Sequence, residues 1–300
     1  MDPKLKHRES GTRGARRITR RRIKSALQTL VPKKSDDDSI HEARKELKKA
    51  RATLRLLRDA LGKKAYKREN TALRDAARPL SAVRDGRVLL DALNSLVKLY
   101  GAPARSLHLT KFKQALSRRR TQSRKMVLSK AGPLRDARKT LRKVRSRSDH
   151  WRVGRHGWSV LGPGLKRTYT KGRDAFRQAK TRPDNDTLHE WRKQTKYLWH
   201  ELQLFDSLDA AQVQHLADVA HKVEDVLGDD HDLAVLYERA LEARESFGKG
   251  PTHEALLSLI MRCRAGMQQK ALQLGLRLYE DTPAVFSRRI ETIWREWRAD

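Results

Sequence analysis

Along most of the chain hydrophobic residues recur at spacings of three and four, and no stretch alternates apolar with polar residues in the manner of a strand. The pattern predicts helices over 14–30, 39–61, 64–78, 84–99, 107–130 and 134–147, then over 165–180, 187–206, 209–227, 230–247, 253–279 and 284–298. Val31-Pro32 ends the first helix, and Gly62 stops the second. Ser39 with Glu42 reads as a capping box opening the second helix, and Thr187 with Glu190 opens its later counterpart in the same way. Residues 151–164, WRVGRHGWSVLGPG, hold four glycines and a proline and read as a crossover between two halves.

The apolar pattern repeats, and so does the polar one laid over it. IHEARKELKKARATLRLLR at 40–58 is echoed by LHEWRKQTKYLWHELQLFD at 188–206. Arg84-Asp85-Gly86-Arg87-Val88-Leu89 precedes His231-Asp232-Leu233-Ala234-Val235-Leu236 by 147 residues, and Arg20 and Lys24 map at the same offset onto Arg167 and Lys171. A period near half the chain implies two copies of one helical module, residues 12–150 and 160–298, after a flexible lead-in of residues 1–11.

At about 100° per residue, Ala43, Leu47, Ala50, Leu54, Leu57 and Leu61 share one narrow face of the repeated helix. His41, Arg44, Lys45, Lys48, Arg51, Arg55 and Arg58 share another. In the second copy Trp191, Leu198, Leu202 and Phe205 form the apolar face, while His189, Arg192, Lys193, Lys196 and His200 form the cationic one. Like charges one turn apart cost about 0.2–0.5 kcal/mol per pair, so the row from Arg44 to Arg58 opposes its own helix by about 1–2 kcal/mol. A ligand with closely spaced negative charges reverses the sign of that term.

Composition points the same way. There are 68 Lys and Arg against 36 Asp and Glu, a net charge of +32, which makes a polyanion the natural partner. Cys263 is the only cysteine, so no disulfide closes within the chain, in keeping with a reducing, cytoplasmic setting. No segment is long and apolar enough for a membrane span. Lys45 and Lys193 stand where HExxH requires histidine, and GxxxxGK[ST] is absent, so no metal, cofactor or catalytic residue is assigned.

The two HE-x-R-K helices, with Lys48, Lys49, Arg51 and Arg55 after the first and Lys196 after the second, resemble the signature helices of the CHAD domain family. Leu80-Ser81-Ala82-Val83-Arg84-Asp85, Leu227-Gly228-Asp229-Asp230-His231-Asp232, Gly164-Leu165-Lys166-Arg167-Thr168-Tyr169 and Pro283-Ala284-Val285-Phe286-Ser287-Arg288-Arg289 are similar to further elements of that family, in order, across residues 12–298. The chain departs from the pattern at Ser81, where glycine is usual, at Arg87, where an acid is common, and at Trp199, where a basic residue is expected.

The resemblance implies an all-α fold of two tandem helical bundles related by an internal pseudo-two-fold, enclosing a central basic groove or pore. It also implies non-catalytic binding of inorganic polyphosphate and association with polyphosphate granules. The expected ligand contacts are His41, Arg44, Lys45, Lys48, Arg51, Arg55, His189, Arg192, Lys193, Lys196 and His200, with Arg20, Lys24, Arg167 and Lys171 extending the track. Arginine offers a bidentate fork to phosphate oxygens and lysine a point charge, and a helix presents such donors about every 5.4 Å. Histidines His41, His189 and His200 are expected to gain a proton beside bound phosphate, tightening binding as pH falls from about 8 to 6.

Two other readings compete. A chain this basic binds nucleic acid non-specifically at low salt, although no helix-turn-helix, zinc finger or RNA-recognition signature is present. His231-Asp232 is a weak signal for a metal-dependent phosphohydrolase.

Overall fold

The computed structural model describes residues 4–31, 35–128, 132–151, 153, 156–208, 210–247 and 251–299, with the side chains of 82–85 outside the description. The Arg84-Asp85 pair of the repeated motif therefore lies outside the described side chains. Among the described residues the structure is helical throughout and has no strand.

The helices run in order α1 (Gly11–Thr29), α2 (Asp37–Leu56), α3 (Arg58–Leu61), α4 (Lys63–Ala77), α5 (Ser81–Tyr100), α6 (Ala102–Arg105), α7 (Thr110–Leu128) and α8 (Pro133–Arg147). They continue with α9 (Trp158–Thr181), α10 (Asn185–Leu202), α11 (Ala211–Glu242), α12 (Thr252–Leu278) and α13 (Pro283–Ala299). Short 3₁₀ turns follow α8, α10 and α11.

Most elements lie where the apolar period places them, and the differences have local causes. The predicted helices 209–227 and 230–247 are one continuous helix, α11, because Gly228 does not interrupt its hydrogen-bonding ladder. Helix α9 starts at Trp158, inside the segment expected to be crossover, and carries Pro163 within its first two turns. A proline there removes the N–H that would have bonded the Ser159 carbonyl, so the start of α9 gives up one bond of its ladder.

Neither predicted capping box forms as read. Asp36, not Ser39, caps α2, accepting from the Ser39 backbone N–H at 2.8 Å. Asp184 caps α10 and Thr187 sits at the third helical position, its hydroxyl oxygen accepting from the Asp184 N–H at 3.2 Å. The aspartates three residues upstream outcompete Ser and Thr because a carboxylate is the stronger acceptor at a helix N-terminus. The second predicted helix ends earlier than expected, at Leu56, and Gly62, with φ of +79°, stops the short helix α3 that follows it.

Helix α1 packs on α2, α9 on α10, and α2 on α10, so the two repeated helices touch. Their apolar faces are buried as the pattern requires: Ala43, Leu47, Ala50, Leu54 and Leu57, and Trp191, Leu198, Leu202 and Phe205, all have essentially no exposed surface. Each such leucine contributes about 1.5–3 kcal/mol on burial. Around them Tyr169 stacks on Phe286 at 3.9 Å and Phe176 meets Trp191 at 5.1 Å.

A second core joins Leu89, Leu93, Phe112 and Leu116 of α5 and α7 to Leu233, Leu236, Leu256 and Ile260 of α11 and α12. Both cores thus draw on both halves of the sequence. Residues 4–10, expected as a flexible lead-in, lie against the body instead. Leu5 is buried, Lys4 pairs with Asp206, and Arg17 donates to Glu9 at 3.0 Å.

Candidate functional site

Two close approaches fix how α2 and α10 meet their neighbours. A Cβ at Gly164 would lie 2.5 Å from the Leu56 Cα, so glycine is what lets α9 cross the end of α2 at backbone distance. A Cβ at Gly228 would lie 3.2 Å from an Arg192 guanidinium nitrogen, so glycine gives that side chain room against α11.

With α2 and α10 so placed, a cleft of about 530 Å³ opens between their cationic faces and α5, α7 and α11. Arg44, Lys48 and Arg51 line it from α2; His189, Arg192, Lys193, Lys196, Tyr197 and His200 line it from α10. Arg119 and Ser123 of α7, Arg239, His231 and Asp232 of α11, and Ser81 of α5 complete the polar wall. Asp232 is the one carboxylate among its described lining residues.

The cations are held by defined partners. Arg44, which is 9% exposed, donates to the Ser81 hydroxyl and to the Ala77 carbonyl at 3.3 Å. Serine at position 81 thus aims an arginine into the cleft. Arg51 donates to Asn70 at 3.1 Å, and burial lowers its pKa, partly offset by Tyr197. It stays charged.

Behind α10, the buried Glu224 of α11 accepts from Lys196 and lies 3.4 Å from Arg192. Burial opposes ionisation of Glu224, but Lys196 and Arg192 override it and hold the carboxyl below its usual range. Lys196 and Arg192 belong to the cationic row of α10. Glu224 arrives from another helix and partly neutralises it.

Two of the three expected proton-gaining histidines are not cations in the free protein near neutral pH. His200 is 6% exposed, stacks on Trp199 and meets Gln203 at 3.2 Å, and burial pushes its pKa down to about 3. His189 is partly open to solvent and lies 4.8 Å from the His231 ring; desolvation lowers its pKa, and Arg192 and Lys193 lower it further. The expectation neglected both the low-dielectric wall and the neighbouring charges.

The remaining expected contacts lie apart from the cleft lining. His41 is exposed on α2, and Lys45, also exposed, pairs with Glu42 at 3.0 Å. Arg55 covers the Tyr197 ring, its guanidinium carbon 3.7 Å from the ring centre. Arg20 pairs with Asp149 and Arg167 with Asp59, while Lys24 is exposed on α1. Lys171 is exposed on α9, its pKa lowered by desolvation and then by Arg55, Arg58 and Arg167.

Sequence reading missed Arg119, Arg239 and Tyr197 as lining residues. Arg119 stands inside the run Arg118-Arg119-Arg120, and nothing local distinguishes the member that faces inward. Among the described residues no group of three or more His, Cys, Asp or Glu is arranged to hold a metal ion, and no helix is long and apolar enough to cross a membrane.

Comparison with known proteins decides the family. The model of the CHAD domain matches residues 17–241, about three quarters of the chain. The chain belongs to the CHAD domain family. CHAD domains are known to bind polyphosphate. Among solved structures, PptA from Streptomyces chartreusis superposes with a TM-score of 0.62 at 14% identity, covering 91% of this chain and 100% of that one. The CHAD domain from the plant Ricinus communis superposes with a TM-score of 0.58 at 15% identity, covering 92% and 93%. At such identities the likeness establishes the all-helical CHAD fold. No curated protein matches the sequence.

Proposed function

We propose that this CHAD domain binds inorganic polyphosphate in the cleft between α2 and α10 and does not turn it over. The observation that carries the reading is the convergence of two cationic faces, separated by about half the sequence, on one cavity. Arg44, Lys48 and Arg51 share its wall with Arg192, Lys193 and Lys196, and Arg119 and Arg239 join them from α7 and α11.

Among the described lining residues, eight lysine and arginine side chains and one carboxylate suit a ligand whose oxygens are acceptors only. They neutralise and grip phosphate, whereas hydrolysis also needs an activated nucleophile or a metal-held carboxylate cluster. The confined cleft favours a slender, flexible polyanion over a nucleic-acid duplex. Residence in the cytoplasm, with polyphosphate granules, belongs to the same proposal.

The test is a titration with polyphosphate, and with duplex DNA of equal charge, at near-physiological salt. Each charge-assisted contact is worth about 1.5–3 kcal/mol, and neighbours partly compensate for one loss. A combined Arg44/Lys48/Arg192/Lys196→Ala variant is therefore expected to weaken polyphosphate binding by about a hundredfold or more. Arg44 is buried, so a second variant replaces the more accessible Arg119, Lys193 and Arg239 and is expected to weaken binding about tenfold. Unchanged affinity in both, with circular dichroism intact, places the site elsewhere. Release of free phosphate with Mg²⁺ or Mn²⁺, abolished by His231→Ala or Asp232→Ala, replaces the binding reading with a hydrolase.

A further inference from the structure

Helix α2 borders a second cationic hollow. Toward α4 a cavity of about 420 Å³ is lined by Arg44, Lys48, Arg51, Arg74, Arg78 and Ser81, over an apolar floor. Four of these, Arg44, Lys48, Arg51 and Ser81, also border the main cleft, so the two cavities lie on either side of the same side chains. Among the described residues lining the second cavity there is no carboxylate. Asp75 lies beside it, paired with Arg74 at 2.9 Å, and its carboxyl is held low by that arginine.

The other half of the chain is built differently at the matching place. Glu224, which engages Lys196 and Arg192, corresponds at either repeat offset to an alanine, Ala76 or Ala77. The α10 row thus backs onto a buried carboxylate, where the α2 row backs onto small side chains and a further pair of arginines.

We infer that the hollow between α2 and α4 is a second phosphate seat, and that long polyphosphate passes from the main cleft across α2 into it. This rests on the polyphosphate-binding reading proposed above. A guanidinium carries five N–H donors in a plane, so Arg44 and Arg51 serve oxygens on two sides of the helix while keeping their protein partners. Arg74 and Arg78 are exposed, and the neighbouring Leu73 and Ala76 carry the packing of α4. A short oligophosphate fills the cleft alone; a longer chain reaches Arg74 and Arg78. The seat therefore makes affinity depend on chain length.

The experiment compares wild type with the double variant Arg74→Gln/Arg78→Gln, against sodium tripolyphosphate and a long-chain polyphosphate across a salt series. The variant is expected to bind long chains about tenfold more weakly, and to bind tripolyphosphate within about twofold of wild type. Its dependence of log affinity on log salt for the long chain should flatten by about one to two units, two cations fewer being neutralised. Unchanged long-chain affinity and salt slope overturns the second seat, and an equal loss for both ligands overturns the crossing of α2. If wild type binds neither ligand, the polyphosphate reading itself fails, an outcome distinct from both.

Discussion

The guanidinium of Arg55 lies 3.7 Å from the centre of the Tyr197 ring, and that of Arg51 lies 5.8 Å from the same centre. The far end of the α2 cationic row is thus docked on the aromatic face of Tyr197 on α10. Cation and ring attract without cancelling charge, so the contact joins the two rows while leaving the row positive.

That contact predicts a graded mutational response. Tyr197→Phe keeps the ring face and should cost little stability, whereas Tyr197→Leu should cost about 1–3 kcal/mol through lost packing and lost cation–π attraction. Urea unfolding of both variants checks it. A leucine variant as stable as wild type removes Tyr197 from the account of how α2 and α10 are held.

Glu224 predicts stability and affinity moving in opposite directions. Glu224→Gln keeps the shape but removes the negative charge beneath Arg192 and Lys196, leaving two partly buried cations uncompensated. Stability should fall by about 1–3 kcal/mol. Polyphosphate affinity should rise several-fold, because the ligand then meets cations it need not share. Calorimetric titration and thermal melting measure the two effects on the same samples. Weaker binding would show that Glu224 positions the cations more than it neutralises them.

His200 predicts acid sensitivity. Its folded pKa is about 3 against an ordinary value of 6.5, so folding favours the neutral ring. That stability is fully present above pH 6.5 and is lost as pH falls from 6.5 toward 3, by at most about 1.4 kcal/mol per pH unit. His200→Phe retains a ring against Trp199 and should flatten the slope of unfolding free energy against pH within that window. A slope identical to wild type would show that other groups carry the acid response.

The helices, their apolar faces and the two cationic rows were legible in the chain, because each is set by residues a few positions apart. Helical geometry assigns Leu47, Leu54, Trp191 and Leu198 to one face, and Arg44, Lys48, Arg192 and Lys196 to another, before any packing occurs. What a given cation meets depends on contacts between helices distant in sequence. Arg20 and Arg167 carry the same local signal as Arg44 and Arg192, yet Asp149 and Asp59 take them up. Arg119 and Arg239 enter the cleft only because α7 and α11 pack with α5 around the second core. Glu224 acts on Lys196 from 28 residues away, and His200 loses its proton to burial among side chains from several helices. Charge and periodicity are local properties of the sequence, whereas dielectric environment and counterions belong to the assembled core. For that reason the sequence by itself determined the donor rows, and only the tertiary structure decided which donors face one another and how much of their charge remains for a ligand.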